Sequence, residues 1–157
     1  MNGIRNYTDT LLEFKIAKAR LDYLLLKREE LEVRYCGAKA ISYQSIGEAN
    51  EPSMKDNMME FIIAITTPDE NTGLSLDEEI EEKSCEVLKL YDTLSLMTKA
   101  LSQLKDIEGQ LYYKIVVEGQ KVSNAIKQVS EEKFMSEQNI YARYYPNIKE
   151  DITRLKL

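Results

Sequence analysis

The chain has 157 residues, 43% hydrophobic and 31% charged, with a net charge of −6. That is the size and balance of one compact domain, or of one core with an appended module. With no histidine and two isolated cysteines, Cys36 and Cys85, it lacks imidazole general-base chemistry, Ser–His and Cys–His nucleophile pairs and the commonest metal ligand. Six glycines and three prolines are too few for the turns of an all-β fold, so the expected class is all-α.

No apolar run approaches the ~18–20 residues of a membrane-spanning helix. Met1 to Thr10 has one arginine and no apolar core, so no secretion signal is expected and the reading is a cytoplasmic protein of a bacterial host cell, without membrane partners. The cysteines, lacking CxxC spacing, are expected to be buried or idle thiols. Charge is uneven: residues 1–40 sum to +2, residues 41–109 to −10 and residues 110–157 to +2. An acidic whole disfavours nonspecific nucleic-acid binding, but its basic end leaves local binding open.

The first helix is predicted from about Thr8 to Tyr35, with Thr8 or Asp9 as cap. Leu11, Phe14, Ala17, Leu21, Leu24, Leu25 and Leu31 recur at helical steps. Leu24, Leu25 and Leu26 in a row widen the stripe, which implies more than one neighbour. Gly37 is the natural stop. Residues 37–53 read as a connector. Ser53 is a candidate cap for a short helix over 54–65 with Met58, Met59, Phe61, Ile62 and Ile65 apolar, and Thr66 to Gly73 is a loop.

The longest helix is predicted to start after Ser75, which forms a capping box with Glu78. Asp77, Glu78 and Glu79 fill its first turn, where acids offset the helix dipole. Ile80, Val87, Leu94 and Leu101, with Leu90, Met97, Leu104 and Leu111, make a heptad seam that Lys83 interrupts. The seam needs a partner: the first helix folded back, or a second copy in a homodimer through residues 80–111. Gly109 or Gly119 is expected to end this helix.

Leu111 to Gly119 is apolar on several faces and reads as a buried helix. Ser123 is expected to cap a helix over Asn124–Val129, and Ser136 another carrying Ile140, Tyr141, Tyr144 and Tyr145. Pro146 is expected to break that helix, leaving a tail of a turn or two. The expected organisation is therefore a long helical hairpin or coiled-coil-like bundle over 1–106, then a helix-turn-helix-like module over 107–157.

No glycine-rich phosphate loop, Cys/His cluster or oxygen-ligand spacing is present, so no enzyme, cofactor or metal is expected. The positive signal is the order of the C-terminal helices. Lys121, Ser136, Gln138, Asn139, Tyr141 and Arg143 are the candidate DNA-binding residues, because Gln, Asn and Arg early in a second helix can pair with base edges. Lys114, Lys127 and Lys133 are further candidates for phosphate.

These features resemble phage and prophage regulators of Gram-positive bacteria whose C-terminus is like region 4 of a sigma factor, the ArpU- and RinA-like late transcription regulators. The matching stretches are Ala40-Ile41-Ser42-Tyr43, Asp56 to Ile62, the hinge Leu111 to Gly119, Val122 to Ile126 and Ser136 to Tyr141. The turn Ser130 to Ser136 departs from the pattern, being longer and without glycine. The resemblance implies transcription regulation, with DNA or RNA polymerase as partner. A tyrosine-rich packing module would show the same order. The alternative is thus a phage-encoded, anti-CRISPR-like inhibitor that binds a host defence protein through Asp77, Glu78, Glu81, Glu82, Tyr144 and Tyr145.

Overall fold

A computed structural model describes residues 2–37 and 51–156. Every regular element among them is helical: α1 (Asn2–Cys36), α2 (Glu51–Thr66), α3 (Leu76–Ser102), α4 (Ile107–Tyr112), a π turn (Tyr113–Val117), α5 (Val122–Lys133), α6 (Glu137–Arg143) and α7 (Tyr145–Leu155). The all-α bundle is as expected from the sequence. The stretch Ala40 to Tyr43 and most of the connector 37–53 lie outside the described residues. The chain forms two compact units: a terminal unit of Met1–Lys15 with Lys89–Leu157, and a middle unit of Ile16–Leu88. The units divide within α1 and α3, whereas the order of motifs in the sequence places a boundary at residue 106.

In the terminal unit, α1 starts earlier than the predicted Thr8. Ile4 and Tyr7 continue the apolar spacing of Leu11 and Phe14, and both are buried. Thr8 is no cap. Its buried hydroxyl donates to the Ile4 carbonyl at 2.8 Å and meets the Tyr112 hydroxyl at 2.6 Å. Tyr7 packs its ring edge-on against Tyr112, centroids 6.0 Å apart, and its hydroxyl accepts from Thr98 at 3.3 Å. Phe14 meets Tyr91 further along, so α1 and α3 run antiparallel here.

The long helix α3 ends at Ser102, before both candidate glycines. Gln103 and Leu104 donate to the carbonyls of Ala100 and Leu101, a tightening that closes the helix. Gly109 instead lies buried inside α4, where a Cβ would sit 2.6 Å from Asp106 Oδ1 and 2.8 Å from Leu104 Cβ. Leu111, read as the last seam position, is therefore on a different helix. Part of the seam is used within this unit: Leu94, Leu101 and Leu111 are core residues and Met97 packs on them, while Leu104 is exposed. Ala125, Ile126, Val129, Ile140, Ile148 and Ile152 complete this core.

Two C-terminal elements differ from expectation. Helix α5 is longer than Asn124–Val129 and begins after Lys121, so Ser123 lies inside it rather than capping it. Pro146 does not leave a loose tail. It stands in the first turn of α7, where a missing N–H costs nothing, and α7 buries Ile148 and Ile152.

In the middle unit, Leu24, Phe61, Ile65 and Leu76 form the core, with Leu31, Tyr35, Cys36 and Ile80 against it. Gly37, at φ +72°, stops α1 as expected. Helix α2 begins at Glu51, so Ser53 lies within it and is not its cap. The Ser75 cap forms, with the Glu78 N–H donating to Ser75 Oγ at 3.2 Å; the Glu78 carboxylate accepts from the Ser75 hydroxyl at 3.1 Å. Neither thiol is buried: Cys36 is half-buried and Cys85 exposed.

Phe134 is the one described non-glycine residue with positive φ, +53°, and its side chain is 96% exposed. It closes α5 in a conformation that costs a side chain roughly 1–2 kcal/mol, with no burial to offset it. Phe134→Gly is therefore expected to raise stability by up to about 1 kcal/mol, read as a higher midpoint in urea.

Candidate nucleic-acid interface

The α5–α6 pair is positioned by its buried side chains. Ala125, Ile126 and Val129 fix α5, and Ile140 fixes α6, each in the terminal core. Between them the chain turns through Phe134, Met135 and Ser136. The Ser136 hydroxyl accepts from the Asn139 N–H at 3.2 Å, the predicted cap.

This anchoring leaves Gln138, Tyr141 and Arg143 exposed on α6, with Asn139 half-buried. Lys121 is exposed at the start of α5, and Lys127 and Lys133 are exposed along it. Lys114 is not free: it donates to Gln128 Oε1 at 3.2 Å and lies 3.5 Å from Glu132. Ser136 spends its oxygen on the cap. Of the six candidates, Lys121, Gln138, Tyr141 and Arg143 therefore present side chains to a partner most openly.

A groove of about 460 Å³ runs between the helices, lined by Val122, Ser123, Ile126, Glu137, Gln138 and Tyr141. Val122, Ser123 and Ile126 were not among the sequence candidates. The signal is present, since Val122 and Ile126 are one turn apart on α5, but the same spacing serves a core face. Tyr141 also stacks on Tyr145, centroids 5.6 Å apart and planes 15° apart.

The residues of the alternative reading are spread over both units. Tyr144 and Tyr145 are half-buried and pack on the terminal core. In the middle unit, Asp77 pairs with Arg28 at 3.3 Å and Glu78 is engaged by Ser75. Glu81 and Glu82 are exposed. Among the described residues, no group of three or more His, Cys, Asp or Glu could hold a metal ion. No helix of the described residues is long and apolar enough to cross a membrane.

The fold defines an all-helical bundle. No family model, curated protein or solved structure matches the chain.

Proposed function

We propose that the chain is a phage-type transcription regulator that engages duplex DNA through α5 and α6. The observation that carries this reading is the division of labour on α6. Ile140 is fully buried and holds the helix to α5, while Gln138, Tyr141 and Arg143 stay exposed beside it. A short helix so held can offer amide and guanidinium groups to base edges. Lys121, Lys127 and Lys133 supply sequence-independent attraction to phosphates.

Fluorescence anisotropy with duplex DNA from the protein's own locus tests it. If the three lysines each neutralise one phosphate, a fourfold rise in salt lowers affinity about 40-fold. Gln138→Ala with Arg143→Ala is expected to cost at least tenfold at fixed salt. Binding that ignores both salt and the double substitution would overturn the proposal.

A second reading, an inhibitor that binds a host defence protein, is favoured by one observation. The α5–α6 groove is apolar and is flanked by exposed Tyr141, a residue type enriched at protein contacts. Capture of a host nuclease by the wild type, lost on Tyr141→Ala, with no DNA binding, would select this reading.

A further inference from the structure

Helix α1 carries two heptad seams. The inward one runs Phe14, Ala17, Leu21, Leu24, Arg28, Leu31 and Tyr35, at alternating steps of three and four. All of these are buried or half-buried. Each residue two positions further on lies about 200° round the helix, on the opposite face. There the same spacing returns as Ile16, Ala19, Tyr23, Leu26, Glu30 and Val33. This outward seam is wholly exposed, and five of its six residues are apolar. Ile16, Tyr23, Leu26 and Val33 are each more than half exposed. Isolated surface hydrophobics need no explanation, but a heptad line of them is what a partner helix covers.

We propose that this face is the interface of a parallel, in-register homodimer. The flanking charges select both the partner and its direction. With Ile16, Tyr23 and Glu30 as a positions and Ala19, Leu26 and Val33 as d positions, the e positions are Arg20, Lys27 and Arg34. The g positions Asp22 and Glu29 are acidic. In a parallel pair each g residue meets the e residue five places on in the partner. Asp22 then faces Lys27 and Glu29 faces Arg34, twice over by symmetry. An antiparallel pair would set e against e and g against g, joining like charges throughout. One parallel pair is unfavourable, Lys15 with Arg20, and Arg20 already lies 3.8 Å from Glu79 of its own chain. Glu30 is the polar a position. It weakens the dimer and penalises shifted alignments, as a lone polar core residue does.

The inference is independent of what α5 and α6 bind. Sedimentation equilibrium of the full chain over micromolar to sub-millimolar concentrations is expected to show a reversible monomer–dimer equilibrium. Glu30→Leu should tighten it at least tenfold, and Leu26→Lys should weaken it at least tenfold while circular dichroism stays unchanged. Lys27→Glu should weaken it too, and adding Asp22→Lys should restore it, because the swapped pair is again opposite in sign. With Cys36 and Cys85 replaced by serine, Val33→Cys should form a symmetric disulfide on mild oxidation. A monomer at every concentration, for both wild type and Glu30→Leu, would overturn the proposal. A dimer indifferent to Leu26→Lys, or one that fails to cross-link through position 33, would overturn it as well.

Discussion

Tyr112→Ala is expected to destabilise the terminal unit by about 3–5 kcal/mol, the range for removing a fully buried aromatic ring. Tyr112 is completely buried, packs edge-on with Tyr7 and meets the Thr8 hydroxyl at 2.6 Å. Tyr112→Phe keeps the ring and loses only the hydroxyl pair, so its cost should be about 1–2 kcal/mol. The difference separates packing from hydrogen bonding at one site. The hydroxyl also makes stability depend on pH. Burial pushes Tyr112 from 10 up to about 12, and the Thr8 hydroxyl, which can turn its hydrogen to the phenolate, holds it part of the way back. The folded state thus keeps this proton more tightly than the unfolded chain. Its contribution is full below pH 10 and is lost as the pH rises from 10 towards 12. Urea midpoints across that window should fall for the wild type, and part of the fall should be absent in Tyr112→Phe.

The second large effect is a contrast among three adjacent leucines. Leu24 is 1% exposed in the middle core, whereas Leu25 is 46% and Leu26 54% exposed. Leu24→Ala is expected to cost about 2–5 kcal/mol through lost burial and the cavity it leaves. Leu25→Ala and Leu26→Ala should each change monomer stability by less than about 1 kcal/mol. Thermal or urea unfolding of the three variants reads this directly at a concentration where the chain is monomeric. Equal losses at all three positions would mean that α1 is rotated from the orientation that buries Leu24 alone.

Much of the fold was legible because its signals are local. The Ser75 cap, the Ser136 cap and the Gly37 stop each depend on residues within one turn, and each forms. The departures have different causes. Thr8 has the composition of a cap, but its hydroxyl meets Tyr112, 104 positions away. Leu104 and Leu111 keep heptad spacing although the helix has ended between Leu101 and Leu104, because periodicity does not report a break in the backbone. Pro146 has the character of a terminator, but the Ile148–Ile152 pair that follows it makes α7 a core helix. At the candidate interface the polar residues of α6 could be named from sequence, since helical order places them. The α5 wall of the groove could not, because Val122 and Ile126 look the same whether they face a core or a cleft. The outward seam of α1 was signalled by the widened stripe at Leu24 to Leu26, but only burial separates one face from the other.

The π turn at Tyr113–Val117 has a consequence for how this chain can vary. Its Glu118 N–H reaches back five residues to the Tyr113 carbonyl at 3.1 Å, so this one turn holds an extra residue. Loss of a single codon here would let the backbone return to ordinary α-helical winding, and the chain beyond would keep its phase, because a turn with one residue fewer still completes one rotation. The same loss inside α5 would turn every later side chain of that helix by about 100° and take Ile126 or Val129 out of the core. A one-residue deletion is therefore expected to be tolerated at 113–117 and to unfold the terminal unit at 123–128.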